Sequence, residues 1–378
     1  SIEFGTSKIV TLVGEGTGAN PAQLLGFGVV PYDGYCEGHW NASDEEVDDA
    51  ILRCIREAEL SSGREIKEIY VGVPCDFIKI EQNEVSLNLE NERRITAEDV
   101  DELMNRALDY TSKNGWVVIH RSPAWFRVDE RRTMEPVGMR GSVMRCMASF
   151  VVADPVFLED MQARFESQSI HINGYLSPSL GQALMLIPPE ERDKVAVLID
   201  MGYLSTEIMF VEGDAHITAD IAYGLHLTME MAEEVKRKYS FGAGSAEISV
   251  QDPEGREVII LREQAAAVIE PRAAEIAEMV QNTIEGSGIR LNSRSTFYLS
   301  GGGMVLMRGG REFVSAVVER PVKAPQPMAV KLNSPVYSAA LGLLELVYES
   351  VTQMEAGPAE SSGKKSKFGQ MLKGFFTK

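Results

Sequence analysis

Apolar positions along this chain switch period repeatedly, and the switches predict alternating strands and helices. Ile9–Val13 is apolar and β-branched, Gly14–Pro21 is rich in turn formers, and Leu24–Val30 is apolar again. That pattern predicts strand, turn, strand. Ser43 followed by Glu46 is a reciprocal helix-capping pattern, and Val47, Ile51, Cys54, Ile55 and Ala58 then recur at helical spacing. Ile69–Val73 predicts a buried strand stopped by Pro74. Thr96 and Asp99 open a second helix with Val100, Leu103, Met104 and Ala107 on one face. Strand-like runs at Trp116–His120 and Ala148–Val152 precede an amphipathic helix, Pro155–Gln168, and a strand near Ile170–Ile172.

The second half repeats the opening. Val195–Ile199 predicts a buried strand ending in Asp200. Glu207–Val211 and His216–Ile221 predict strands joined by a hairpin turn at Gly213 and Asp214. Thr228–Tyr239, Arg262–Ile284 and Ser338–Glu349 carry helical periodicity, and Phe297–Leu299 is a short strand before three glycines. Two strand–turn–strand openings about 190 residues apart, each feeding an α/β segment, are what a duplicated α/β fold would show.

Three glycine-bearing turns bring in chemistry. Glu3–Lys8 (EFGTSK) places Gly5, Thr6, Ser7 and Lys8 between two strands, where backbone N–H groups and hydroxyls can be aimed at phosphate oxygens. Asp200–Glu207 (DMGYLSTE) is a similar turn, and a strand ending in aspartate can hold a magnesium-bound water. Ser300–Gly303 (SGGG) lets backbone approach a flat or charged ligand. The competing readings are an ordinary hairpin turn, a capping aspartate and a flexible loop.

Composition narrows the class. At 378 residues, with 44% hydrophobic and 25% charged residues, the chain has room for more than one globular domain. No run approaches the ~20 apolar residues of a membrane span, and no secretory signal pattern is seen at the start. The four cysteines form no metal-like spacing and are expected to be reduced, packed thiols of a cytoplasmic protein. A net charge of −19 argues against nucleic acid as a partner. Residues 361–378 nonetheless carry five lysines and no acid, so the remainder is more acidic still.

The order of the three turns is more specific than any one. Residues 3–8, 200–207 and 300–303 resemble the phosphate-1, phosphate-2 and adenosine motifs of the superfamily of actin, hexokinase and the heat-shock chaperone ATPases. More closely, IYVGVP at 69–74, ITAEDVDELMNRA at 95–107, GDAHITADIAYGL at 213–225, AEEVKRKY at 232–239 and VIEPRAAEI at 268–276 resemble the FtsA family of bacterial cell-division proteins. The resemblance implies an actin-like, duplicated ribonuclease-H-type α/β fold of two lobes with an inserted FtsA-type (SHS2) subdomain and a C-terminal amphipathic helix. It implies subdomain 1A at 1–74, 166–194 and 336–353, the insert 1C at 75–165, 2A at 195–225 and 290–335, 2B at 226–289, a linker at 354–365 and a membrane helix at 366–378.

The same resemblance implies ATP with Mg2+, bound by Gly5, Thr6, Ser7, Lys8, Asp200, Gly202, Ser205, Thr206, Lys236 and Gly301–Gly303 (Gly301, Gly302, Gly303), with Glu3 and Asp200 holding the metal through water. A solvated helix lysine is the competing reading of Lys236. The chain departs from the family at two places. Glu3 stands where the family has Asp, moving the carboxylate by roughly 1.5 Å. Tyr203 and Leu204 stand where phosphate 2 has glycines, which crowds the hairpin. Binding with slow or absent hydrolysis is the expectation.

Phe368, Met371, Leu372, Phe375 and Phe376 fall at i, i+3, i+4, i+7 and i+8, flanked by Lys364, Lys365, Lys367, Lys373 and Lys378. Aromatics for the acyl boundary and lysines for anionic headgroups make an in-plane membrane helix. The expected partners are anionic lipids, further copies in an actin-like filament, other division proteins and the C-terminal peptide of FtsZ, with Arg262 and Arg272 as candidate peptide contacts. The expected place is the cytoplasmic face of the membrane at the septum. The rival readings are a PilM-like pilus scaffold and a stand-alone ATPase or small-molecule kinase of the same fold.

Overall fold

A computed structural model describes residues 1–17, 20–111, 115–133, 135–188, 196–202, 206–208, 227, 229–242, 244–252, 255–286, 295–327, 329 and 332–355. The first elements are β1 (Ile2–Phe4), β2 (Lys8–Thr17), β3 (Asn20–Pro31), β4 (Tyr35–Cys36), β5 (His39–Trp40), α1 (Asp44–Ser62) and β6 (Glu68–Gly72). Then come β7 (Ile78–Arg94), α2 (Ala97–Thr111), β8 (Val117–Val128), β9 (Arg131–Thr133), β10 (Arg140–Ala153), α3 (Pro155–Ser167) and β11 (His171–Leu176). The second half holds α4 (Pro178–Leu186), β12 (Ala196–Met201), β13 (Thr206–Ile208), α5 (Met229–Lys238), β14 (Glu247–Gln251), β15 (Glu257–Leu261) and α6 (Arg262–Gly286). It closes with β16 (Thr296–Ser300), α7 (Gly310–Val317), β17 (Val322–Lys323) and α8 (Ser338–Glu355). The contacts divide the chain into two compact units: Ser1–Gly14 with Leu24–Arg64 and Pro178–Glu345, and Glu15–Gln23 with Glu65–Ser177 and Leu346–Lys378.

In the first unit, β1 pairs antiparallel with β2. Helix α1 starts where the sequence places it, because Ser43 and Glu46 cap each other reciprocally. It ends at Gly63, whose φ of 67° continues no helix and whose N–H bonds the Glu59 carbonyl. Its inward stripe, Val47, Ile51, Cys54, Ile55 and Ala58, is the predicted one, and all five are buried. A second sheet in this unit has the order β13-β12-β16-β17, with β12 and β16 parallel. Its core takes Ile199 and Leu299 from the strands, Val235 and Tyr239 from around α5, and Ile269 and Ile276 from α6.

The second unit contains a four-stranded sheet of order β7-β10-β8-β9, with α2 packed on one face. β7 was not expected from the sequence. Its 17 residues are mostly polar, and only Val85, Leu87 and Leu89 show the alternation that turns inward. A second difference concerns Gly14–Pro21, expected as a turn. Most of it is strand, in β2 and β3. Gly16 is a packing glycine here: a Cβ would fall 2.1 Å from the Tyr348 ring. A third concerns the segment expected as linker from Met354. α8 continues through Glu355, two residues into it, before the Gly357–Pro358 break in the sequence. The expected strands at 209–221 lie outside the described residues.

All four cysteines are free thiols, as the sequence led us to expect. Burial pushes Cys54 up to about 11 and Cys146 up to about 12, so both remain protonated at neutral pH.

The start of α2 is fixed by charge. Arg93 Nη1 and Nη2 donate to the two Asp99 carboxylate oxygens at 2.6 Å each, and the Thr96 N–H donates to Asp99 Oδ2 at 2.8 Å. The Arg93 hydrogen bonds above all, opposed by partial burial and helped by Thr96, hold the Asp99 carboxyl well below the usual range. A folded-state pKa below the unfolded value gives stability that is full above about pH 4 and is lost as pH falls through the folded value. Asp99→Ala is expected to destabilise the chain by roughly 1–2 kcal/mol at neutral pH. Urea unfolding followed at neutral and acid pH checks this: the difference from the parent should shrink at acid pH.

Candidate functional site

The two halves of the first unit carry the same hairpin in the same register. β1 and β2 pair Glu3 with Val10 and Phe4 with Ile9. β12 and β13 pair Asp200 with Glu207 and Met201 with Thr206. Each hairpin has an acid one residue before the end of its first strand, and four positions, 5–8 and 202–205, separate its last paired residues. Gly5 and Gly202 therefore occupy equivalent turn positions, and Thr6 and Ser7 stand where the second turn has Tyr203 and Leu204. The Tyr203–Leu204 departure thus falls on one hairpin and the Glu3 departure on the other.

The first turn is tight. Gly5 N–H donates to Lys8 O at 2.9 Å, and the carbonyls of Thr6 and Ser7 accept from the N–H groups of Gly34 and Tyr32. Those two carbonyls are thus turned into the protein. Thr6 and Glu3 are buried, while Ser7 and Lys8 are half-buried. Burial first, and then the carboxylates of Glu3 and Asp33, hold the Tyr32 phenol well above its usual pKa.

The second turn is built by strand pairing. Parallel β12 and β16 place Asp200 directly beside Ser300. Helix α4 lies over both strands, with Ala183, Leu186 and Ile187 packed against Leu198 and Tyr298. That packing delivers Gln182, which is 1% exposed, to the strand ends. Its Nε2 donates to Asp200 Oδ2 at 2.8 Å and to Ser300 Oγ at 3.2 Å. The sequence reading missed Gln182, an uncharged residue in an apolar helix outside any motif.

The three glycines are neither a loose loop nor simply open space. Gly301 has φ +80°, and a Cβ there would stand 2.2 Å from both Asp200 Oδ1 and Met201 O. Gly303 N–H donates to Met201 O at 2.6 Å. The glycine segment therefore rests on the strand end that carries Asp200. A Cβ on Gly302 would meet Val336 at 2.9 Å, and next to Val336 the Tyr337 ring lies 5.7 Å from Lys8 Nζ. The short turn Pro335–Tyr337 thus borders Gly302 on one side and Lys8 of the first hairpin on the other. Neither Val336 nor Tyr337 carried a sequence signal.

Asp200, Gly202 and Gly301–Gly303 come together with Ser300 and Gln182. Lys236, on α5, is 2% exposed, so the solvated reading is overturned. Ser205, like Tyr203 and Leu204, lies outside the described residues, and Thr206 is described only as a strand residue. Among the described residues no group of three or more His, Cys, Asp or Glu forms a metal cluster. The site fits an anionic nucleotide in one respect: the first turn carries Gly5, Thr6 and Ser7 beside the strand-end acid Glu3, a small-residue turn of the kind that holds phosphates.

On α6, Arg262 Nη2 donates to the carbonyls of Ser240 at 3.2 Å and Gly242 at 3.0 Å, with the guanidinium 5.5 Å from the Tyr239 ring. It lines a surface pocket of about 260 Å³ with Lys238, Gly244, Ser245 and Ile248. Arg272 pairs with Glu275 at 2.9 Å. Ten residues along one helix, it stands about 15 Å from Arg262. The tail residues Phe368, Met371, Leu372, Phe375 and Phe376, with Lys364, Lys365, Lys367 and Lys373, lie outside the described residues.

Fold and site define an actin-like α/β protein with an inserted SHS2 domain. The family model described as "Cell division protein FtsA" matches residues 194–342, and that described as "SHS2 domain inserted in FTSA" matches 76–152, together more than half of the chain. Cell division protein FtsA of Pseudomonas aeruginosa is 26% identical over 369 residues, covering 91% of this chain and 87% of that relative. That of Escherichia coli K12 is 26% identical over 385 residues, covering 94% and 91%. The solved structure of a PilM-PilN type IV pilus biogenesis complex has a chain of similar fold, with a TM-score of 0.62 and 17% identity, covering 92% of this chain and 97% of that one. The chain belongs to the FtsA family of cell division proteins.

Because Gly301 combines a left-handed φ with a side-chain contact to Asp200 and a backbone contact to Met201, each at 2.2 Å, Gly301→Ala is expected to cost more than about 2 kcal/mol. Denaturant unfolding that shows less than half that loss would contradict the glycine packing described.

Proposed function

We propose that this chain is a membrane-tethered, actin-like division protein that binds ATP, polymerises, and ties FtsZ to the cytoplasmic face of the membrane at the septum. The observation that carries the nucleotide part is the matched register of the two hairpins, with Glu3 and Asp200 at equivalent strand ends. Bound nucleotide with Mg2+ would supply a phosphoanhydride whose hydrolysis can be coupled to assembly. The residues proposed to hold it are Gly5, Thr6, Ser7 and Lys8 on one side and Asp200, Gly202 and Gly301–Gly303 on the other. Gln182 fixes Asp200, so its carboxylate is positioned before any ligand arrives. Tyr203 and Leu204 place two large side chains on the second turn, which favours binding with slow turnover.

The tether rests on the tail. Each lysine near an anionic surface contributes about 1 kcal/mol, and each well-buried large apolar side chain roughly 1.5–3 kcal/mol. Ordering a short helix, with Gly369 and Gly374 inside it, subtracts from that. One copy makes a reversible anchor, and a filament holds through many. For the FtsZ peptide, the pocket beside Arg262 also carries Glu247 and a Lys238 already paired with Glu234, so Arg262 is its candidate contact for an acidic tail.

Calorimetric titration with Mg-ATP is expected to give saturable heat, reduced at least tenfold in affinity by Asp200→Ala. No heat at high micromolar nucleotide refutes the nucleotide reading. In vesicle co-sedimentation, the full chain should carry FtsZ down with anionic liposomes, and Phe375→Glu with Phe376→Glu should abolish this. Unchanged pelleting sinks the tail's proposed use.

A further inference from the structure

The sheet of the insert places two arginines face to face. Arg145 of β10 is paired with Arg127 of β8, and Met147 with Trp125, two residues along. The intervening pair, Cys146 and Phe126, is buried under α2. Alternation along the strands therefore sets Arg127, Arg145, Trp125 and Met147 on the face away from the helix. On the far side of β8, the backbone register puts Arg132 of β9 opposite Arg127, so three adjacent strands carry arginine at one level.

Like charges directly opposite each other weaken a sheet. Here little compensates them. Among the described residues, Arg145 is exposed and makes no ion pair or hydrogen bond. The buried Arg127 Nε has no hydrogen-bond partner, and its guanidinium lies 5.6 Å from the Trp125 ring. On β7, Ser86 stands opposite Arg145 and Glu84 opposite Met147. Glu84 is the one acid among the residues at 82, 84, 86 and 88, which alternate on that face.

We propose that this arginine row is a docking surface for an acidic, extended peptide segment of a protein partner. Two of the segment's carboxylates would engage Arg127 and Arg145, and one of its apolar side chains would cover Trp125 and Met147. Charge complementarity chooses the occupant. Guanidinium forks bind carboxylates with two parallel hydrogen bonds, and Arg, Met and aromatic residues are the types enriched at protein interfaces. Directly paired strand residues stand about 5 Å apart. Acids two residues apart on an extended chain are about 6.7 Å apart, within the reach of two splayed arginines. Glu84 at the margin disfavours a uniformly anionic lipid surface, whereas a single strand can pass beside it. This inference is independent of the nucleotide and tail readings.

The test uses the full chain and a labelled ten-residue peptide with Glu at alternate positions and one central Phe, followed by fluorescence anisotropy. Binding is expected, weakened more than tenfold by Arg127→Gln with Arg145→Gln, and equally by Gln for Glu in the peptide. The same double variant should melt at an unchanged or higher temperature, because a repulsion has been removed. Unaltered peptide affinity in the variant overturns the proposal. So does a fall in melting temperature that accompanies the loss, which would make the row structural. Loss of anionic-vesicle binding with peptide binding intact would make it a lipid contact instead and also overturn it.

Discussion

The amide of Gln182 donates to both Asp200 and Ser300, and much of the candidate site depends on that bridge. Two parallel strands side by side leave their carboxyl ends open, and ligands of open α/β sheets gather there. An ionised carboxylate at such an end must be held by donors, because an unpaired buried charge is costly. Gln182 supplies one from above the sheet, and the Asp200–Gly202 segment in turn supports the glycines at 301 and 303. Asp200, the glycine segment and α4 thus form one packed unit, and a change in any of them is transmitted to the others.

Duplication gives this arrangement its economy and its asymmetry. The two hairpins share register, turn length and the position of an acid, yet their turn residues differ. The first keeps small hydroxyl side chains and a lysine, and the second has Tyr203 and Leu204. A backbone framework shared by both halves therefore persists while the residues between the paired strands differ.

Much of this was legible in the sequence where a local rule decides the outcome. The Ser43–Glu46 and Thr96–Asp99 caps, the apolar stripe of α1 and the strand ending in Asp200 each follow from neighbours within a few residues. What stayed hidden needs contacts far apart in the chain. β7 reads as polar because one of its faces is exposed and only three of its inward-facing residues are apolar. Gly16 reads as a turn former until Tyr348 is seen packed against it. Gln182 carries no motif, and its role comes from residues 18 and 118 positions away. The Arg127–Arg145 pairing exists only once strand register is known.

Electrostatics ties the acidic body to the basic tail. With the five tail lysines set aside, the rest of the chain carries more than the net −19 in negative charge, and an anionic bilayer would repel it. Repulsion between exposed charges decays over about 8 Å at physiological ionic strength. A ten-residue Gly/Ser-rich spacer spans roughly 17 Å on average, about two such lengths. In the proposed reading, residues 356–365 let Lys367, Lys373 and Lys378 reach the headgroups while most of the body's charge stays beyond the screening distance. Shortening that spacer would bring repulsion back without touching any lipid-binding side chain, so the separation is as much a part of the anchor as the aromatic residues.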